Sequence, residues 1–248
     1  MKHRRKALLH ALLAGSGLLC GHAIASGLQV SPVSLSLEPT QNADGLWLSN
    51  SGDDVVHAQV RVYHWAQEGG EEKLTPSRGL VISPPMMQLA AGDKQLIRVI
   101  RVGTPPSGAG AVEDSYRVVI DELPIEAKDK KKGLQFVLHY SVPIFIEPLG
   151  GTPVPQLHWA LQREGEHVVL EVANTGSGHA QFADLAFTDN AGRRTELAQG
   201  LLGYVLPGAT VRWALKPSAT TFVGGGNLEA LMNGTKATQT ASLADRPR

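Results

Sequence analysis

Residues 134–146 read LQFVLHYSVPIFI, with Leu134, Phe136, Leu138, Tyr140, Val142, Ile144 and Ile146 at every even position. Successive side chains of a strand point to opposite faces, so a period of two places all seven on one face. A lysine-rich stretch, KDKKK at 128–132, leads into this segment, and the proline-bounded EPLGGTPVP follows it. The strand is longer and more uniformly apolar on one side than a small sheet requires. A core strand of a β-sandwich satisfies the pattern. So does a strand whose first half is an edge, and such an edge would pair with another chain.

The rest of the chain is punctuated in the same way. Its 27 glycines and 15 prolines are spread along the sequence and separate short alternating or β-branched segments. These are LQVSPVSLSL (28–37), GLWLSN (45–50), VVHAQVRVYHW (55–65), GLVISP (79–84), QLIRVIRV (95–102) and SYRVVIDEL (115–123). No segment before residue 150 carries a capped helical period, and turns recur at the spacing of a sandwich. Pro148, Gly150, Gly151, Pro153 and Pro155 interrupt regular structure and make 148–155 the best linker. HVVLEVAN (167–174), AQFADLAFTD (180–189), LLGYVLPG (201–208) and TVRWALKP (210–217) then build a second, smaller β domain. The expected division is 26–147, with the strand at 134–146 closing it, followed by 148–241. The small polar residues after Asn233 are expected to fray, with 242–248 a flexible tail.

The first residues address the chain to a compartment. MKHRRK is a basic start, ALLHALLAGSGLLCG a short, glycine-interrupted apolar stretch, and Ala23-Ile24-Ala25 a small-x-small cleavage pattern. Residues 1–25 therefore read as a signal peptide. A lipoprotein site at Cys20 lacks the small residue normally found before a lipidated cysteine. Cys20 is the sole cysteine, so the mature chain has no disulfide, thiolate metal site or cysteine nucleophile. Losing Lys2, Arg4, Arg5 and Lys6 leaves 19 basic against 23 acidic residues, a net charge of −4, in a mature chain of 223 residues. That balance offers no argument for nucleic acid as a partner.

Nothing in the sequence points to catalysis. The G-x-S-x-G elbow, the phosphate loop, H-E-x-x-H and the glycine-rich dinucleotide turn are all missing. Gly224-Gly225-Gly226 lacks the Lys and Ser/Thr of a phosphate loop. The mature histidines His57, His64, His139, His158, His167 and His179 are scattered, and His57 and His64 have opposite parity on one strand. No cofactor and no metal are expected. From the residues alone, a secreted sandwich that binds a small ligand or metal, or an adhesin, remains an alternative to a strand donor.

The pieces, taken in order, resemble the periplasmic pilus chaperones of the chaperone–usher pathway, in their more divergent branch. VSPVSLSLEP (30–39) resembles the family's first strand, and LSNSGDDVVHAQVRVYHW (48–65) continues the pattern. SPPMMQLAAGDKQLIRV (83–99) carries a proline pair, a Leu-x-x-Gly turn and an Arg-bearing strand, and is the most specific piece. SYRVVIDELP (115–124) ends in Glu-x-Pro, and LQFVLHYSVPIFIEP is similar to the strand lent to pilus subunits. NTGSGHAQF (174–182) and LPGATVRWAL (206–215) match more weakly.

The resemblance implies an all-β protein of two immunoglobulin-like sandwiches set in an L or boomerang. It implies a non-enzymatic periplasmic chaperone that caps pilus subunits by donor-strand complementation and passes them to an outer-membrane usher. Leu134, Phe136, Leu138 and Tyr140 are the implied subunit-binding side chains. Exposed strand edges also allow a self-capped homodimer. Known members clamp the subunit's terminal carboxylate with an Arg on the first strand and a Lys on the last. Here those positions are Ser34 and Pro143. Arg117 is the candidate replacement, with Arg98 and Arg101 behind it. A surface Arg, or an internal salt bridge from Arg117 to Glu122 or Glu147, is the competing role. Glu147 itself stands where a basic residue is usual, so the interdomain pairing is expected to differ.

The leader has a direct check. Intact mass of protein from a periplasmic extract is expected to begin at Ser26, and a full-length 26.4 kDa species or a lipid on Cys20 would refute that assignment.

Overall fold

Glycine turns and proline breaks cut the chain into strands too short to bury a core singly, so stability requires sheets stacked face to face. The computed structural model describes residues 27–124 and 137–245. The expected signal peptide, the KDKKK stretch, Leu134 and Phe136 lie outside the described residues. The first sandwich uses β1 (Leu28–Ser31), β2 (Leu35–Leu37), β3 (Ala43–Asn50), β4 (Val56–Glu68), β5 (Glu71–Pro76), β6 (Leu80–Ser83), β7 (Met86–Leu89), β8 (Lys94–Arg101), β9 (Asp114–Leu123) and β10 (His139–Ile146). The second uses β11 (Leu157–Glu164), β12 (His167–Asn174), β13 (Ala180–Asp189), β14 (Arg194–Glu196), β15 (Leu201–Val205), β16 (Thr210–Leu215), β17 (Gly226–Met232), β18 (Thr235–Ala241) and β19 (Leu243–Asp245).

The first sandwich packs a β1-β3-β8-β6 sheet on a β2-β10-β9-β4-β5 sheet, with β7 added beside β4. The second packs β16-β12-β11-β19 on β14-β13-β17-β18, with β15 beside β13. Alternation explains the first core. Leu46 and Leu48 on β3, Ile97 and Val99 on β8, Val118 and Ile120 on β9, and Val142, Ile144 and Ile146 on β10 all point inward. The period of two read from the sequence thus holds for the described part of β10.

Two expectations fail. LQVSPVSLSL is two strands rather than one: β1 joins β3 and β2 joins β10, in opposite sheets. Pro32 removes a ladder donor between them, so the chain breaks there and crosses from one sheet to the other. The stretch after Asn233 does not fray as far as Asp245. β18 pairs with β17 along its whole length, and β19 pairs in parallel with Leu161–Arg163 of β11. Alternation there is masked by threonines and small residues, and backbone pairing supplies the order.

Each sandwich is pinned by a buried asparagine in an Asn-Ser/Thr-Gly turn. Asn50 donates to the carbonyls of Asp54, Leu89 and Ala90 and accepts from Gly52 N. Asn174 donates to the carbonyls of Gly178 and Val205 and accepts from Gln156 N and Gly176 N. A leucine of similar volume would leave those groups unpaired in a dry interior. Asn174→Leu is expected to lower stability by about 1–3 kcal/mol for a stranded buried group, read from the urea midpoint at unchanged m-value.

Candidate functional site

The sheet containing β9 and β10 has one face in the core and the other turned outward. Register defines that outer face. Arg117 lies directly across from Pro143 of β10 on one side and Tyr63 of β4 on the other, and Tyr63 lies across from Pro76 of β5. Two residues along, Phe145 faces Ser115, and Trp65 faces Leu74. Beyond them Gln67 faces Glu72. Toward the other end, His139 faces Asp121.

The second sandwich covers one end of this face, where β4 and β10 finish and β9 begins. Trp65 and Phe145 leave the first core and belong to the second, beside Tyr204, Phe182 and Val205. Phe145 stacks on His179 with 3.6 Å between ring centroids and 5° between planes. His179 Nδ1 meets the buried carboxylate of Glu113 at 2.8 Å. The Gln67 amide donates to Tyr204 O and accepts from Leu206 N, both at 2.9 Å, as one more rung of a ladder would. The joint therefore rests on Glu113–His179 and Gln67. Glu147 takes no part as a cation would; burial first, then Glu38 and Glu113, push its carboxyl above the usual range.

Arg117 sits at the rim of this joint. Its side chain is 10% exposed, and the guanidinium carbon lies 3.6 Å from the Trp65 ring centroid and 5.3 Å from that of Tyr204. Such stacking holds a planar cation in one orientation. Desolvation lowers the pKa of Arg117, and Glu72 opposes that shift; a guanidinium is not deprotonated in a protein. Its partner is Glu72, Nη2 to Oε1 at 3.3 Å, rather than the Glu122 or Glu147 expected as competitors. Sequence separation concealed this, because Glu72 reaches Arg117 only through the pairing of β5, β4 and β9. Nη1 donates to Ser141 O at 3.4 Å. Arg117 Nε, Trp65 Nε1 and Ser115 Oγ are buried on this face without a hydrogen-bond partner among the described residues. The arrangement can hold an anion against a fixed fork.

Of the alternative arginines, Arg101 is occupied structurally, donating to Pro39 O and Asn42 Oδ1. Arg98 is exposed on the opposite sheet. Ser34 is exposed between β1 and β2. Neither Trp65 nor Glu72 stood out in the sequence, although Trp65 shares the parity of Arg61 and Tyr63, opposite to the core.

β10 also has an open edge. β2 covers only Ile144–Ile146, and no strand among the described residues pairs with the other side of 139–143. Glu122 N donates to Leu138 O, so even residues bond toward β9 and odd ones face the edge. His139 and Ser141 offer both donor and acceptor there, while Pro143 lacks an N–H in the one place where a strand tolerates that loss. Leu138 and Tyr140 pack partly against the first core, and Tyr140 Oη donates to Leu28 O at 2.5 Å.

This geometry can be set against known proteins. Residues 27–151, half the chain, match the family described as pili and flagellar-assembly chaperone, PapD N-terminal domain. The chain belongs to this family. No curated protein matches it. Among solved structures it is similar to the CsuC–CsuE chaperone–tip adhesion subunit pre-assembly complex of Acinetobacter baumannii, at 22% identity, TM-score 0.68, covering 88% of this chain and 99% of that one. It is similar to the Salmonella enterica SafA pilin–SafB chaperone complex, at 15% identity and TM-score 0.61, with 87% and 97% covered. The Pseudomonas aeruginosa CupB2 chaperone gives 16% and 0.54, with 86% and 98% covered. These likenesses bear out the family's fold of two immunoglobulin-like sandwiches.

At the start of β10, Asp121 bridges Arg61 and His139, the latter at 2.6 Å. Burial raises the Asp121 pKa, but hydrogen bonds from Arg61 and His139 outweigh it and hold the carboxyl below the usual range. A carboxyl that titrates lower folded than unfolded stabilises fully above its unfolded pKa, and the gain drains away as pH falls through the folded value. Asp121→Asn is therefore expected to lower the thermal midpoint at pH 7, with the deficit closing below the ordinary aspartate range.

Proposed function

We propose that this protein is a periplasmic pilus-assembly chaperone that captures subunits by strand donation and delivers them to an outer-membrane usher. The supporting observation is the pairing of an open β10 edge with a buried, oriented arginine one strand away, in a chain of the pilus chaperone family. The leader supports the periplasm. The relatives crystallised with a pilin or a tip adhesion subunit support that class of partner.

A subunit strand laid along residues 139–143 and the segment before them would complete its backbone ladder there. Leu134, Phe136, Leu138 and Tyr140 would supply the apolar side chains, at about 1.5–3 kcal/mol for each one fully buried. Because Leu138 and Tyr140 already pack in part against the first core, Leu134 and Phe136 carry the larger share of capture. Arg117 would hold the subunit's terminal carboxylate. It stands directly across from Pro143, the position where the resemblance places a lysine, and its fork can bind both oxygens where a lysine is a point charge. The work is binding rather than bond-making, so no catalytic residue is assigned. Two empty chaperones could satisfy each other's β10 edges, which supports a self-capped homodimer in the absence of subunits.

Co-expression with the subunit from the same pilus locus tests this reading. Leu134→Thr with Phe136→Thr is expected to abolish co-purification while circular dichroism and the thermal midpoint stay unchanged. Arg117→Ala is expected to weaken capture by about 2–5 kcal/mol, as loss of one partner of a desolvated charge pair does, with Arg117→Lys recovering part. If Arg117→Ala holds native and terminus-blocked subunits as the unaltered chaperone does, Arg117 is not the anchor.

A further inference from the structure

We propose that Glu72 is a built-in stand-in for the ligand's carboxylate: it occupies Arg117 while the cleft is empty and leaves when a subunit's terminal carboxylate arrives. The inference rests on the reading of Arg117 as the anchor and adds how that site is kept until use.

The contact has the properties of a placeholder. It is a single interaction, Nη2 to Oε1 at 3.3 Å, longer than the 2.7–2.9 Å of a well-made charge-assisted bond and without the second oxygen of a bidentate pair. The two partners are unequally solvated. Arg117 is 10% exposed and Glu72 55%, so the anion can turn into water at little cost. The cation cannot follow, and an uncompensated charge in the cleft is expensive. Arg117 therefore requires a carboxylate, and Glu72 is the one that is free to go.

The hairpin that carries Glu72 suits this role. All six residues of β5 are exposed, and β5 is the last strand of its sheet. The turn between β4 and β5 is Gly69-Gly70, both at positive φ with open space around them. The backbone opposite Glu72 is nevertheless held, because Gln67 is fixed to Tyr204 and Leu206 of the second sandwich. Release is then a side-chain rotation over an unmoved backbone. Glu72 also leaves donors on this face under-used: Arg117 Nε, Trp65 Nε1 and Ser115 Oγ are buried with no partner among the described residues. A chain terminus, unencumbered by a hairpin, can present both oxygens to that set of donors.

The mature, 15N-labelled chain tests the proposal with a defined probe, the acetylated tripeptide Gly-Ala-Phe with a free carboxylate, against its C-terminal amide. Binding is followed at the Arg117 Nε–H resonance, assigned by its loss in Arg117→Lys, and by tryptophan emission from the stacked Trp65. Glu72→Gln keeps the shape and removes the competitor. Half-saturation by the free carboxylate is expected at about a two- to fivefold lower concentration, the factor that corresponds to a weak, partly exposed ion pair, with no response to the amide. Equal half-saturation in the two proteins overturns the stand-in and leaves the anchor standing. Weaker binding by Glu72→Gln also overturns it, and shows that Glu72 positions Arg117 instead. No response to the free carboxylate in either protein removes the anchor reading and the stand-in together.

Discussion

The C-terminal end of β10 is buried on both faces, and much of the molecule follows from that. Val142, Ile144 and Ile146 fill the first core while Phe145, on the opposite face, enters the second. A strand shared between two cores fixes one sandwich on the other by packing, in addition to the linking backbone. Phe145 stacked on His179, with Glu113 bonded to that ring, makes the joint specific. Burial on both sides also pins the register of β10, because a one-residue slip would exchange the two sets of side chains. The first half of the strand gains none of this. Among the described residues it is left with an unpaired edge.

Electrostatics in the cleft follow from the same joint. Tyr204 is brought over the outer face by the second sandwich, and together with Trp65 it removes water from Arg117. Desolvation lowers the arginine's pKa. A cation of this kind is costly unless paired, and among the described residues its carboxylate partner is Glu72, long in contact and half-solvated. Elsewhere the charged groups are better matched, as in the Arg61–Asp121–His139 bridge across three strands beside the open edge.

Much of the fold was legible in the chain. The alternation in β3, β8, β9 and β10 identified the strands and their buried face, because side-chain parity is a local property of extended backbone. Glycine and proline marked the turns. The resemblance placed the strand of Arg117 beside the last one, and the register of β9 on β10 agrees with that placement. The split of residues 28–37 into β1 and β2 was not foreseen, since both halves alternate and only pairing partners tell them apart. The order of β18 and β19 was hidden because threonine-rich edges are held by backbone bonds rather than by apolar side chains.

By itself, the sequence determined the class of fold, the presence of two β units and the apolar period that runs into β10. All of these are written in patterns of neighbouring residues. Only the tertiary structure decided that Leu138 and Tyr140 serve the protein's own core in part, that Phe145 and Trp65 belong to the second core, and that Glu72 meets Arg117. Those facts depend on which strands lie side by side and on where one sandwich covers the other. Contacts between residues 45 positions apart, as Glu72 and Arg117 are, leave no local pattern in a single sequence.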